Sequence, residues 1–222
     1  MIELFTWKTP SGHKVSIMLK ECAMDYHMHL VDLTKGDQYN MSFLKLSPSS
    51  SVPAIIDRDA EGGPLSIFEA DAILIYLADK AGRFLPRPPH ARSKVMEWLL
   101  FESAELSPIF TQTYHFIRSS PEPIPHAITH YVNESLRLLR VLEAQFKQRA
   151  FIAGDYSIAD IALYPWVDAI IPLLENNGRQ EEVENLFHMH RWHAQLSNRP
   201  AIKQGMNIPV EYSNAEAMLE EA

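Results

Sequence analysis

Three stretches decide the fold of the first part of this chain: Val52-Pro53-Ala54-Ile55-Ile56, Gly62-Gly63-Pro64 and Leu65-Ser66-Ile67-Phe68-Glu69. The first and last runs are short and apolar, and the turn residues between them predict a hairpin. Proline lacks an N–H donor and stands at strand edges or starts, so Pro53 marks where the first strand begins. Glu69 begins a helix whose apolar residues recur at three- and four-residue spacing.

The residues before this hairpin predict a strand, a helix and a second strand. Met1 to Phe5 is mainly apolar, and Thr9-Pro10-Ser11-Gly12 ends that run and opens a helix that reaches Cys22. A second strand is predicted at about 27–32, followed by a loop with a weak helix up to Leu46. The predicted order is βαβα, then a hairpin and a helix.

Beyond a proline-rich stretch at 83–89, the pattern is helical only. One helix runs from about Ala91 and should kink at Pro108, because the proline ring clashes with the preceding turn. Further helices are predicted from Pro125, from near Ser157, and over roughly Leu186 to Leu196. The predicted boundaries are 1–82 for an α/β domain, 83–89 for a linker, 90–206 for an all-helical domain and 207–222 for an acidic C-terminal tail.

Composition excludes several classes of function. Apolar residues make up 46% of the chain and charged residues 22%, as in globular proteins. Acidic residues outnumber basic ones, 28 to 20, which disfavours a nucleic-acid partner. No secretory leader and no apolar run long enough for a membrane span is recognisable. Cys22 is the only cysteine, so no intrachain disulfide can form, and a reducing, cytoplasmic location is expected.

Val52 is a candidate for binding an extended peptide. If the Val52–Pro53 bond is cis, the N–H and C=O groups of Val52 can face outward and pair with a ligand main chain. The plainer interpretation is an ordinary strand start, since only about 5–6% of such bonds in folded proteins are cis.

Two helix N-termini are further candidates. Glu69 has two interpretations. Its carboxylate either interacts only with the helix dipole, or binds the ammonium of an amino-acid-like ligand whose carboxylate is held by the free helix N–H groups. The plainer interpretation of Ser11 is an N-cap residue, because a hydroxyl before a helix most often only caps it. Alternatively, Thr9 and Ser11 face a ligand thiol, and a hydroxyl donor and the positive helix end would lower the pKa of that thiol below its ordinary value of about 8.5.

Other patterns have structural explanations. Ser157 and Asp160 fit a capping box, which stabilises a helix by about 1 kcal/mol. His126 and His130, like the later His188, His190 and His193, have no obvious carboxylate or cysteine partner in the sequence pattern, so no metal site is predicted. Tyr114 is the aromatic residue placed nearest to a pocket for an electrophile.

These stretches together resemble the glutathione transferases, most closely the bacterial nu class, over nearly the full length. The resemblance rests on four stretches: Thr9-Pro10-Ser11-Gly12-His13-Lys14, Val52-Pro53-Ala54-Ile55, Phe68-Glu69-Ala70-Asp71-Ala72-Ile73 and Tyr156-Ser157-Ile158-Ala159-Asp160-Ile161-Ala162. It implies a thioredoxin-like domain joined to a helical bundle, a homodimer, and a site for glutathione as co-substrate.

The resemblance also implies roles for single residues. Val52 would pair with the cysteinyl main chain of glutathione, and Pro53 would be cis. Glu69 would hold the γ-glutamyl ammonium, and Gln38 would lie near the glycine end. Thr9 and Ser11 would face the sulfur. Nu-class members resemble glutathione-dependent disulfide reductases without a catalytic cysteine, which agrees with Cys22 as a small buried apolar residue in mid-helix.

Two positions depart from the family pattern. Ser11 stands where many nu-class members have asparagine, and Ala70 stands where a serine is usual, so one hydroxyl to the glutamyl carboxylate is missing. His130 is the candidate to replace that contact. Three functions follow: reduction of a small disulfide, conjugation of glutathione to an organic electrophile, or a non-catalytic dimeric binding module, which Ala70 favours.

Overall fold

The computed structural model describes residues 1–209, and most of the predicted tail, from residue 210 onward, lies outside the described residues. The chain divides into two compact units. The first unit is Met1–Arg83 together with the segment that begins at Asn198, and the second unit is Phe84–Ser197.

The first unit is built on a four-stranded sheet with the strand order β2-β1-β3-β4. The strands are β1 (Ile2–Thr6), β2 (Tyr26–Leu30), β3 (Ala54–Asp57) and β4 (Leu65–Phe68). β1 is parallel to β2 and antiparallel to β3, and β3 is antiparallel to β4. This mixed sheet confirms the predicted thioredoxin-like fold.

Two long helices of the first unit pack against each other. They are α1 (Pro10–Glu21) and α3 (Ala70–Ala81), with the short α2 (Met41–Leu44) between them in sequence. Their apolar faces are fully buried, as Ile17 and Leu77 show. The helix predicted to begin at Glu69 therefore begins one residue later, with Glu69 as its N-cap residue.

The second unit is helical throughout apart from its loops, which confirms the predicted all-helical part of the fold. Its helices are α4 (Pro89–Phe101), α5 (Ser107–Tyr114), α6 (Pro125–Phe146), α7 (Ile158–Leu174), α8 (Gln180–Glu184) and α9 (Phe187–Ser197). None of the helices within residues 1–209 is long and apolar enough to cross a membrane.

Pro108 does not interrupt the helical run that contains it. The irregularity comes earlier, where Glu102–Leu106 forms a π-helical segment between α4 and α5. A proline at 108 cannot donate to the carbonyl four residues before it, and its ring crowds that carbonyl. The wider π-helical turn accommodates this misfit one turn upstream, and α-helix resumes through Pro108.

The capping box at the start of α7 is confirmed, and its acidic member does more than cap. The carboxylate of Asp160 is fully buried and accepts hydrogen bonds from the N–H of Ser157 at 3.1 Å, the N–H of Ile152 at 3.0 Å and the indole N–H of Trp192 at 2.9 Å. Asp160 thus joins the start of α7 to α9 and to the loop before α7.

The last described helix, α10 (Pro200–Met206), belongs to the first unit, whereas the sequence pattern placed residues up to 206 in the helical domain. α10 packs along α1 at Gly205, where a Cβ atom would lie only 2.6 Å from the Cα of Ile17. The hydroxyl of Ser16 donates to the Gly205 carbonyl at 2.7 Å, and Arg199 pairs with the buried Glu21 through two bonds of 2.8 and 2.9 Å. This close backbone approach and the ion pair account for the placement.

Replacing Asp160 by asparagine should cost more stability in acid than at neutral pH. Burial raises the pKa of Asp160 to about 6, so the folded chain binds this proton more tightly than the unfolded chain does. That contribution to stability is complete below about pH 4 and is lost as the pH rises through the folded pKa. Thermal unfolding of both proteins between about pH 4 and 7 measures the difference in Tm. A difference that grows with pH would contradict this expectation.

Candidate functional site

The register of the sheet brings four chain segments to one edge. Thr6, which ends β1, pairs with Leu30, which ends β2. In the other direction, Phe5 pairs with Ala54 at the start of β3, and Ala54 pairs with Phe68 at the end of β4. The loop before α1, the loop after β2, the residues before β3 and the residue after β4 therefore meet at the same edge. These segments and the first turns of α1 and α3 carry the predicted site residues of the first unit: Thr9, Ser11, Gln38, Val52, Pro53, Glu69 and Ala70.

Val52 presents an unpaired main chain at this edge. The Val52–Pro53 bond is cis, as the resemblance implies. The Val52 side chain is buried in a cluster with Val31, Phe43 and Ala54. Across residues 1–209, neither its N–H nor its C=O takes part in a hydrogen bond. A buried side chain below an unpaired main chain is the arrangement that an added extended peptide requires.

Thr9, and not Ser11, is the N-cap residue of α1. The Thr9 hydroxyl accepts a hydrogen bond from the N–H of Gly12 at 3.0 Å, and Pro10 takes the first helical position, which proline prefers. Ser11 is thereby released from capping. It is half-buried, and within the described chain its hydroxyl and its N–H have no hydrogen-bond partner. Ser11 is thus free to donate to a ligand sulfur.

Gly12 allows α1 to begin very close to β1. A Cβ atom here would lie 2.4 Å from the carbonyl oxygen of Trp7 and 2.6 Å from the hydroxyl oxygen of Thr6. The first of these is a backbone atom and cannot turn away. Only glycine lets the helix N-terminus reach this position.

Glu69 has a strained backbone and an exposed side chain. Its φ of 70° and ψ of 117° lie outside the regions that L-residues favour, at a cost of about 1–3 kcal/mol. Its carboxylate neither caps α3 nor pairs with any other side chain in the described part of the protein. The acid therefore faces solvent, where it could receive a ligand ammonium.

The first turn of α3 carries free donors and one ion pair. The N–H groups of Ala70, Asp71 and Ala72 have no hydrogen-bond acceptor among residues 1–209. The carboxylate of Asp71 accepts a hydrogen bond of 3.0 Å from the ammonium of Lys14 on α1. Sequence reasoning missed this pair, because two charges 57 residues apart give no local signal.

Gln38 lies in a turn of 3₁₀-helix, Asp37–Tyr39. Its side-chain oxygen is buried and has no hydrogen-bond partner in the described structure. A buried acceptor without a donor is costly, and a ligand or water that donates to it would remove that cost.

Cys22 stands at the C-cap of α1 rather than in mid-helix. It is half-buried, and burial raises the pKa of its thiol to about 11. The protonated thiol is a poor nucleophile at neutral pH. The first unit thus supplies no activated sulfur of its own.

The predicted residues of the second unit are exposed. His130 lies on the solvent side of α6, its ring edge-on to Tyr131 at 5.0 Å, and Tyr114 is 57% exposed at the end of α5. Their roles stay predictions. Within residues 1–209 no group of three or more His, Cys, Asp or Glu side chains is arranged to hold a metal ion.

Comparison with known proteins identifies the family. The N-terminal domain of glutathione S-transferases matches residues 10–80, and their C-terminal domain matches residues 127–200. The chain belongs to the glutathione S-transferase family. The disulfide-bond oxidoreductase YfcG of Escherichia coli is 40% identical over 209 residues, which cover 93% of this chain and 94% of YfcG. The disulfide-bond oxidoreductase YghU of the same organism is 34% identical, over 92% of this chain and 73% of YghU.

Solved structures of glutathione S-transferases agree with this assignment of the chain to the family. A glutathione transferase from Pseudomonas putida, with one glutathione disulfide bound per subunit, has a TM-score of 0.88 at 37% identity, over 94% of this chain and 91% of its own. A family member from Pseudomonas fluorescens with two glutathione bound has a TM-score of 0.88 at 39% identity, over 94% and 93% of the two chains. Both confirm the fold.

Replacing Gly12 by alanine should lower the free energy of unfolding by more than about 2 kcal/mol, because the new methyl group meets backbone. Gly82→Ala is the matched control. Gly82 has a φ of 66°, but a methyl group added there would have no atom within 4 Å. This control should therefore cost only about 1 kcal/mol, for the left-handed conformation. Denaturant unfolding measures both. Equal losses would show that the close approach at Gly12 is relaxed at little cost.

Proposed function

We propose that this protein reduces small disulfides with glutathione, which it binds along the edge of the first unit. The observation that carries the proposal is the meeting, at that edge, of three groups: a main chain at Val52 and a hydroxyl at Ser11 that are both unpaired within residues 1–209, and an exposed acid at Glu69. The relatives named as disulfide-bond oxidoreductases and those solved with glutathione or its disulfide support it.

Glutathione is an extended tripeptide whose groups match this edge. In the proposed pose its cysteinyl N–H and C=O pair with the main chain of Val52. The γ-glutamyl ammonium meets Glu69, and the glutamyl carboxylate meets the free N–H groups at the start of α3. Gln38 lies toward the glycine end, where its buried oxygen can accept from the glycine amide. His130 remains a proposed further contact to the glutamyl carboxylate.

The sulfur then lies at the N-terminus of α1. The hydroxyl and N–H of Ser11 donate to it, and the positive helix end favours its negative charge, so the pKa of the glutathione thiol falls. Pro53, which has no N–H donor, lies at the edge beside the sulfur. The O–H of Thr9, whose oxygen already caps the helix, can supply a further donor.

The reaction needs two molecules of glutathione and no cysteine of the protein. The first thiolate attacks one sulfur of the substrate disulfide, the S–S bond breaks, and the leaving thiolate takes a proton from water. A second thiolate attacks the glutathione sulfur of the mixed disulfide and releases the other half of the substrate. The substrate gains two electrons, and two glutathiones become one glutathione disulfide.

A non-catalytic binding module is the second candidate, and Ala70 favours it. The missing hydroxyl at this position removes one donor to the glutamyl carboxylate, worth about 1–3 kcal/mol if that charge is desolvated. Calorimetric titration with reduced and with oxidised glutathione distinguishes the candidates, together with an assay of turnover. Binding without turnover would establish the module.

Homodimerisation and a cytoplasmic location belong to the same proposal. Large apolar side chains are exposed on both units, including Leu65 and Phe68 on β4 and Leu100 on α4, and a second copy would cover such surfaces. A glutathione-dependent reductase requires a compartment rich in reduced glutathione. Sedimentation velocity at several concentrations tests the dimer, and a single monomeric species would refute it.

Disulfide reduction should exceed conjugation. The test compares the rates with hydroxyethyl disulfide and with a chlorinated aromatic electrophile, each with glutathione. Ser11 is expected to stabilise the thiolate of glutathione, which attacks a disulfide sulfur directly. For disulfide reduction the protein therefore need only bind a small disulfide beside this thiolate. Conjugation far faster than disulfide reduction would reverse the order and make this a conjugating transferase.

Ser11→Ala should lower kcat for disulfide reduction by about tenfold or more with an unchanged Tm, because the lost hydroxyl bonds only the ligand. Thr9→Ala should lower the Tm as well, since it removes an N-cap worth about 1 kcal/mol. Ser11→Asn, which keeps a side-chain donor, is the control and should retain most of the rate. Full activity of Ser11→Ala would exclude this hydroxyl from the reaction.

A further inference from the structure

The ion pair between Lys14 and Asp71 has a place in the site that its burial alone does not explain. Lys14 is 3% exposed and Asp71 16%, and their charged atoms lie 3.0 Å apart. Lys14 follows Ser11 by one turn of α1, and Asp71 is the second residue of α3. The pair therefore joins the turn that carries the proposed sulfur donor to the turn that carries the proposed carboxylate donors.

A carboxylate in the first turn of α3 opposes anion binding there. The free N–H groups of Ala70, Asp71 and Ala72 and the helix dipole attract a ligand carboxylate. The charge of Asp71 stands within the same turn and repels that ligand unless a cation neutralises it. Lys14 is the cation that the structure places against it.

We infer that Lys14 is a positioning residue for glutathione: it neutralises Asp71 and so keeps the N-terminus of α3 open to the glutamyl carboxylate. This inference rests on the proposed function. The departure at Ala70 gives it weight, since without a serine hydroxyl the binding of this carboxylate depends more strongly on main-chain N–H groups and on the local charge. The pair also holds the two helix N-termini together, so the sulfur and the glutamyl carboxylate of the tripeptide meet groups at a fixed separation.

The two partners should act on binding in opposite directions. Lys14→Met leaves Asp71 as an uncompensated negative charge, and the affinity for glutathione should fall by about tenfold. Asp71→Asn leaves the Lys14 cation in place, and the affinity should stay equal to that of the unchanged protein or rise. The double variant Lys14→Met/Asp71→Asn should regain most of the affinity that Lys14→Met loses. A purely structural pair would instead lose stability and affinity together in both single variants.

Lys80→Met is a matched control on the same helix. Lys80 pairs with the fully buried Asp57, whose carboxylate also accepts a hydrogen bond of 2.6 Å from Tyr76. It lies ten residues beyond Ala70, roughly 15 Å along α3. This variant makes the same substitution and also leaves a carboxylate without its cation. Its Tm should fall while its affinity for glutathione stays unchanged.

Calorimetric titration of the unchanged protein and the four variants with reduced glutathione, alongside thermal unfolding, tests the inference. The inference is supported if Lys14→Met binds glutathione more weakly, the double variant regains the affinity, and Lys80→Met binds as tightly as the unchanged protein. Unchanged affinity in Lys14→Met, or equal weakening in Asp71→Asn, overturns it while the proposed function stands. Absence of binding by the unchanged protein overturns both. If Lys14→Met fails to fold, the double variant decides, since its failure to bind glutathione overturns the inference.

Discussion

Everything at the candidate site depends on how three strands align. Phe5, Ala54 and Phe68 lie side by side across β1, β3 and β4, and this alignment brings the residues beyond them to one edge. A slip of one residue between β3 and its neighbours would turn the side chain of Val52 out of its buried cluster. The burial of Ile55 and Leu4 on one apolar layer opposes such a slip. The chemistry of the edge thus follows from packing below it.

Two helix N-termini give this edge its electrostatic character. The protein carries a net charge of −8, yet the edge presents N–H groups at α1 and α3 that have no acceptor in the described part of the chain. Local dipoles outweigh a distant net charge, so a peptide with a carboxylate and a thiolate can be attracted to an acidic protein. The exposed Glu69 adds the one negative group that the ammonium of such a peptide requires.

Much of the fold follows from local signals in the sequence. Pro53, the glycine-rich turn and the periodicity after Glu69 are enough to predict β3, β4 and α3, because each depends on neighbouring residues. Ser11 is the wrong prediction for the cap of α1, and the preference of proline for the first helical position favours Thr9 instead. The pair Lys14–Asp71 and the packing of α10 on α1 depend on residues far apart in sequence, and periodicity carries no information on them. The hydroxyl of Ser11 has no partner within the described chain because Thr9 caps α1. This could not be predicted without first identifying Thr9 as the N-cap residue.

The position of α10 has a consequence for how the protein is made. Ser16 and Ile17 of α1 contact Gly205, and Glu21 pairs with Arg199; both partners belong to the segment that begins at Asn198. The entire second unit is translated after α1 and before that segment. During translation, the first helix of the thioredoxin-like unit therefore lacks these contacts until that segment has been made. Its completion follows the synthesis of the helical unit, although its sheet is encoded first.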